Sequence, residues 1–189
     1  MKPESILVVD RAGKPDRWID LDRAAKYYAE EQVAWEAGTT HVLLHGGINA
    51  ASGRRSVLKI NSILSIHSED RRLEDFDAEP TLTRTMVLRR DRFVCAYCAQ
   101  VYGERLLTIE HIVPLSRGGE SSWKNLVAAC KACNNRKGAR TPEEAGMTLC
   151  YLPYVPNRHE AFILRRRKIL ADQMEFLLRG VGKESRLKN

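Results

Sequence analysis

The chain carries Cys95-Ala-Tyr-Cys98 and, with the same spacing, Cys130-Lys-Ala-Cys133, and these two pairs enclose Thr108-Ile-Glu-His-Ile-Val-Pro114. Between the pairs lie 31 residues. Each pair can supply two thiolates from one tight turn, and two such pairs are typical of a structural zinc site. The alternative is two disulfides or buried thiols, which suits a secreted protein better. We expect a closed four-cysteine zinc site (Cys95, Cys98, Cys130 and Cys133) with no open position for catalysis.

The sequence between and after the pairs predicts a small fold of two strands and a helix. Residues 106–113 are a predicted strand, 116–120 a glycine turn, 126–129 a second strand and 131–137 a short helix stopped by Gly138. So few elements bury little apolar surface, and a metal ion is therefore needed to hold them together.

Composition and cysteine usage indicate a folded protein in a reducing compartment. The chain has 189 residues, of which 43% are apolar and 29% charged, enough for one domain or two small ones. It has five cysteines, no signal peptide pattern and no apolar run of membrane length. These features predict a cytoplasmic protein without a membrane partner.

Charge is distributed unevenly along the chain. Residues 1–80 contain 11 Lys/Arg and 14 Asp/Glu, whereas residues 81–189 contain 20 and 10. A basic half that carries the metal motif favours a phosphate-rich partner, because neutralised phosphates release counterions. We therefore expect a nucleic acid as the partner.

Three regions follow from the pattern of apolar residues and turns. Residues 1–80 predict an α/β extension with a strand at 6–9, a helix at 21–32, a hairpin with strands at 41–45 and 56–66, and an acidic linker at 68–80. Residues 81–150 hold the metal motif. Residues 151–189 predict one long helix from 157 to 179 and a tail. The role of residues 1–80 stays open between scaffolding, a homodimer contact and a protein partner.

The motif region resembles the HNH endonucleases. The resemblance rests on Ile109-Glu-His-Ile-Val-Pro-Leu-Ser-Arg-Gly-Gly119, on Asn125-Leu-Val127 and on Cys130-Lys-Ala-Cys-Asn-Asn-Arg-Lys-Gly138. His111 precedes Asn125 by 14 positions, and Asn125 precedes Asn134 by 9, which is similar to the HNN variant of the family. The likeness covers residues 92–146. It implies a zinc-stapled ββα-metal core. Together with the N-terminal α/β extension and the C-terminal helices predicted above, this core makes an α+β protein.

The resemblance also implies roles for four side chains. His111 is the implied general base, since histidine is the side chain that most often serves as a general base. Glu110 and Asn134 are the implied oxygen ligands of a catalytic Mg²⁺ or Mn²⁺ ion. Asn125 would hold the strand geometry and the imidazole orientation by hydrogen bonds.

Two features complicate these roles. Glu110 stands where the family usually has Asp, and its extra methylene favours a softer ion than Mg²⁺. Glu110 and His111 are also adjacent, so on a regular strand they point to opposite faces, and we expect a bulge or bend that relieves this.

Basic residues surround the same core and are candidates for binding the DNA backbone. They are Arg117, Lys124, Arg136, Lys137 and Arg140. Together these features predict a metal-dependent DNA endonuclease. The alternative is a catalytically silent zinc-knuckle module that only binds nucleic acid.

Overall fold

The computed structural model describes residues 5–67 and 78–188 and divides into two compact units. The first unit comprises residues 1–76 and 168–180, and the second comprises residues 77–167 and 181–189. The predicted linker at 68–80 lies almost entirely outside the described residues. The architecture is α+β, as predicted. Residues beyond 150 contribute to both units.

The first unit is a four-stranded sheet with two helices. Its elements are β1 (Ile6–Val9), β2 (Pro15–Ile19), α1 (Leu21–Ala29), β3 (Val33–Ile48), β4 (Arg55–Ile66) and α5 (Ala171–Gly180). The strand order is β2-β1-β4-β3. β1 runs parallel to β4 and antiparallel to β2, and β3 is antiparallel to β4.

Burial explains why β1 is central to this sheet. All four of its residues are fully buried, as expected for a strand covered on both faces. α1 begins at Asp20, whose carboxylate accepts the Arg23 amide at 2.8 Å, and it packs Ala24 and Tyr27 onto the core of the sheet. α5 contacts β3 and β4.

The second unit contains α2 (Arg84–Arg90), β5 (Leu107–His111), β6 (Leu126–Cys130), α3 (Lys131–Lys137) and α4 (Arg158–Arg165). β5 and β6 form an antiparallel pair without a register shift. A two-stranded pair is marginal by itself. It is stabilised by α3, which contacts both strands, and by a core in which Met86, Trp123 and Leu164 pack together.

A buried arginine ties α2 to the end of β6. The Arg90 side chain is fully buried, and its guanidinium donates to the carbonyls of Trp123 and Leu126, each at 2.6 Å. It also pairs with Asp91 at 2.8 Å, and Asp91 in turn accepts the Ala128 amide at 2.7 Å. A buried charge needs such a full set of partners, so this network fixes the position of β6.

The single C-terminal helix predicted for residues 157–179 is wrong. The structure has α4 and α5 instead, separated in the chain by residues 166–170, and the exposed basic run 165–168 begins at the last residue of α4. The two halves bury their apolar residues in different units: Leu164 in the core of the second unit, and Leu177 in the first. Helical periodicity alone does not report such a division.

Candidate functional site

The two cysteine pairs converge beside the end of β6. Cys95 and Cys98 lie in a tight turn. The Cys95 amide closes this turn by donating to the backbone carbonyl of Gln100 at 2.9 Å. Cys130 ends β6 and caps α3, where its sulfur accepts the Cys133 amide at 3.4 Å. The four sulfur atoms all lie within 4.8 Å of one another. The predicted convergence is therefore confirmed, and the four cysteines are positioned to bind a metal ion.

The chemistry of these thiols fits zinc. Burial acts to raise the pKa of Cys130, but hydrogen bonds from the Cys133 amide and Tyr102 hydroxyl outweigh it and lower that pKa to about 7. Burial is the main cause that raises the pKa of both Cys95 and Cys133. Four thiolates therefore need a cation among them. Tetrahedral zinc, with Zn–S bonds of about 2.3 Å, holds its sulfurs about 3.8 Å apart, a separation that fits within the 4.8 Å limit of this cluster.

Glu110 lies on the face of β5 that α3 covers. Glu110 is 8% exposed, and its carboxylate accepts a hydrogen bond from the Lys137 ammonium at 2.6 Å. The same ammonium donates to the backbone carbonyl of His111 at 2.8 Å. Because Lys137 is fully buried, its charge depends on these partners. The pair holds the last turn of α3 against the end of β5.

In this structure the Lys137 ammonium, for which a phosphate contact is predicted, is instead enclosed and paired with Glu110. The sequence contained a signal for this. Lys137 follows Asn134 by three positions on α3, so the two side chains share one helix face. A residue placed beside a predicted metal ligand in this way is a candidate partner for the other ligand, Glu110.

Asn134 faces the same layer between α3 and β5. Its amide nitrogen donates to the Thr108 hydroxyl at 2.8 Å, and Thr108 lies two positions before Glu110 on the same side of the strand. The Asn134 carbonyl oxygen and the second carboxylate oxygen of Glu110 accept no hydrogen bond from the described residues. These are hard oxygen donors, so in kind they fit Mg²⁺ or Mn²⁺. The Lys137 ammonium already bonds to the first carboxylate oxygen of Glu110.

His111 lies at the end of β5 with its ring partly exposed. Its Nε2 lies 3.0 Å from the Ser121 hydroxyl. The register of β5 on β6 is uninterrupted from Leu107 to His111, so the bulge expected between Glu110 and His111 is absent from this strand pair. Strand alternation therefore places the two side chains on opposite sides of β5.

Asn125 closes the loop that follows β5. Its side-chain oxygen accepts the Val113 amide at 2.8 Å, and its nitrogen donates to the carbonyls of Val113 at 3.0 Å and Glu120 at 2.8 Å. Gly119 belongs to the same loop, where any side chain would collide with the Val113 carbonyl. This explains the two consecutive glycines of the motif: Gly118 adopts a left-handed φ of 81°, and Gly119 has no space for a Cβ.

The other basic candidates divide into two groups. Arg117 is engaged by Glu144 at 2.6 Å, and Arg140 folds back onto backbone carbonyls at the end of α3. Lys124 and Arg136 are exposed. The last two are therefore the most available to a phosphate backbone.

Residues 95–150 match the family model described as HNH endonuclease. This segment is an HNH domain. The family resemblance is thereby confirmed over less than a third of the chain, and the domain belongs to a nuclease family, which acts on nucleic acid. No curated protein matches the chain. Among the described residues, no helix is long and apolar enough to cross a lipid bilayer.

Proposed function

We propose that this protein is a metal-dependent endonuclease that hydrolyses phosphodiester bonds of double-stranded DNA, with His111 as general base. The observation that carries the proposal is the HNH domain, in which His111 ends β5 and the inner face of that strand presents Glu110 toward α3, the helix that carries Asn134. The basic charge of residues 81–189 supports a nucleic-acid substrate. Because free thiolates hold zinc best in a reducing environment, we place the activity in the cytoplasm.

In this reaction the His111 imidazole takes a proton from an attacking water. The Ser121 hydroxyl lies 3.0 Å from Nε2. This is the distance at which a general base contacts the oxygen of the water that it deprotonates. The water oxygen forms a bond to phosphorus and the bond to the 3′ oxygen breaks. The 3′ oxyanion takes a proton from bulk water to become a hydroxyl, and the His111 imidazolium returns its proton to solvent. Asn125 keeps the loop after β5 in place, so that His111 and Ser121 stay together.

Glu110 and Asn134 would hold the divalent ion, Mg²⁺ or Mn²⁺. When bound, such an ion offsets negative charge on the scissile phosphate and on the leaving oxygen. For Glu110 to serve, its carboxylate must use the oxygen that Lys137 leaves open, or release the lysine. Lys137 itself holds the Glu110 carboxylate and the end of β5 in position.

The Glu110–Lys137 pair also supports a second candidate, a zinc-knuckle module that binds nucleic acid without cutting it. In that case the lysine permanently occupies the position of the divalent ion, and the pair is purely structural. The two candidates differ in whether DNA is cut at all.

Plasmid relaxation with Mg²⁺ or Mn²⁺ separates these candidates. The parent chain should nick or linearise supercoiled DNA, and His111→Ala should lower the rate by about 10²–10⁴-fold, the usual contribution of a general base. His67→Ala, which changes an exposed histidine of the first unit, is the matched control and should cut at the parent rate. Intact supercoiled plasmid with the parent chain and both ions would refute the nuclease proposal.

A further inference from the structure

The hairpin of the first unit continues beyond the sheet as a two-stranded ribbon. β1 pairs with β4 only from Ile63 to Ser65, whereas β3 and β4 remain paired from His41 and Asn61 outward to Ile48 and Arg55. We call residues 41–61 the ribbon. One of its faces is covered, because Val42 is 5% exposed and Ile60 is fully buried in the core beneath α1.

The other face of the ribbon is open to solvent. Residues paired directly across two strands share a face, so His41 and Asn61, Leu43 and Lys59, and His45 and Val57 all lie on this side. Leu43 is 49% exposed and Val57 is 53% exposed. The open face therefore alternates apolar side chains with basic and hydrogen-bonding ones.

The ribbon has a charge unlike the rest of its unit. No acidic residue occurs between Glu36 and Glu69, although residues 1–80 as a whole carry a net charge of −3. The same stretch contains Arg54, Arg55 and Lys59. An acid-free basic segment within an acidic region favours an anionic partner.

The tip of the ribbon is an ordered turn. The Asn49 side chain accepts the amides of Ala51 at 3.0 Å and Ser52 at 2.9 Å, and the Asn49 amide donates to the Arg54 carbonyl at 2.8 Å. Arg55 donates to the Gly46 carbonyl across the ribbon at 3.0 Å. These bonds hold Arg54 at the end of a fixed loop.

The base of the ribbon is equally well defined. The register of β3 on β4 shifts between Ala37 and His41. Within this irregular stretch, the amides of Thr39 and Thr40 donate to the Asp172 carboxylate at 2.9 and 2.8 Å. Gly38 adopts a φ of 90°, and a side chain there would collide with Ser62. Bulges of this kind re-aim a strand, so the direction of the ribbon is built into the fold.

We propose that the ribbon is a DNA-binding element that lies in the major groove of the duplex, an inference that rests on the proposed function. The major groove is about 12 Å wide and admits a two-stranded ribbon. Seven residues of β4, Arg55–Asn61, span about 23 Å at roughly 3.3 Å per residue, or six to seven base pairs at about 3.4 Å each. Arg54 and Lys59 contact phosphates. His45 and Val57 face the base edges, where Val57 can contact a thymine methyl group.

Charge favours DNA over a second copy of the chain as the occupant. If two ribbons lay face to face, Lys59 and Arg54 of one copy would lie near the same two residues of the other copy. Neither ribbon has an acidic residue that could offset this repulsion. A phosphate backbone neutralises the same groups. A self-association contact is therefore an outcome that the experiment must distinguish.

The test measures binding of a short fluorescent duplex by anisotropy, using the full chain with His111→Ala so that no DNA is cut. Arg54→Gln and Lys59→Gln should each weaken binding about 8-fold at 0.1 M salt. Each should also lower the slope of log affinity against log salt by about 0.9, the value for one phosphate contact. Lys26→Gln, an exposed lysine of α1 in the same unit, is the matched control and should match the parent.

Sedimentation of the same variants supplies the second measurement. Parent-like affinity and salt slope in Arg54→Gln/Lys59→Gln would overturn the proposal, and so would a change of oligomeric state with DNA affinity unchanged. The nuclease proposal fails independently: binding that depends on the ribbon without any plasmid cleavage by the parent chain would refute the enzyme alone. Cleavage with ribbon-independent binding would refute the ribbon alone.

Discussion

Replacing Lys137 with methionine tests the least expected contact of the HNH domain. Methionine has a similar shape but no charge, so Lys137→Met leaves the Glu110 carboxylate, 8% exposed, without its partner at 2.6 Å. Removing one member of a buried ion pair costs about 3–5 kcal/mol, because the remaining charge stays desolvated. At roughly 2–4 °C per kcal/mol for a chain of this size, the melting temperature should fall by about 6–20 °C.

Urea unfolding followed by tryptophan fluorescence measures this loss in the second unit. Trp123 is buried there, whereas Trp18 and Trp35 lie in the first unit and are replaced by phenylalanine in all variants. Lys131→Met is the matched control, since Lys131 is an exposed lysine on the same helix, and it should change the free energy of unfolding by no more than about 0.5 kcal/mol.

A double-mutant cycle isolates the pair itself. Lys137→Met combined with Glu110→Gln removes both charges, so the double variant should be more stable than the sum of the single losses predicts. Millimolar Mn²⁺ should also restore part of the stability of Lys137→Met, because an ion that binds only the folded state stabilises it. Equal stability of Lys137→Met and Lys131→Met, or strictly additive losses in the cycle, would refute the role assigned to Lys137.

Two further predictions concern the metal cluster and the base of the ribbon. Cys130→Ser should release the bound zinc and unfold the second unit. Cys150→Ser, at an exposed cysteine outside the cluster, should keep one zinc per chain. Metal analysis and thermal melting check both variants, and full zinc content in Cys130→Ser would contradict the structural role. At Asp172, burial acts to raise the pKa, but hydrogen bonds led by the Thr40 amide outweigh it and lower the pKa below its ordinary value. The stability it supplies is therefore present above about pH 3.9 and is lost as the pH falls through the lower folded pKa. The Thr39 and Thr40 amide resonances should shift in that acid range, and the same shift in Asp172→Asn would contradict the assignment.

The sequence predicted the parts of this protein that depend on neighbouring residues. Two Cys-x-x-Cys pairs confine their sulfurs locally, and the strands and helix between them follow from short apolar runs and glycine turns. The fully apolar run Ile6–Val9 was predicted as a strand for the same reason, and it is one. In the HNH domain, the spacing of His111, Asn125 and Asn134 was sufficient to indicate the family.

Tertiary packing decided the rest, because it brings together groups that are distant in the sequence. Lys137 meets Glu110 from 27 positions away, and Asp172 reaches the Thr39 amide from 133 positions away. A local pattern places Lys137 on the same helix face as Asn134, but it does not fix which buried charge that face meets, since the partner is chosen by how α3 lies on β5 and how α5 lies on β3. The sequence alone determined the metal knuckles and the family, and the packing of helices on strands determined which charges are paired and which remain exposed to solvent.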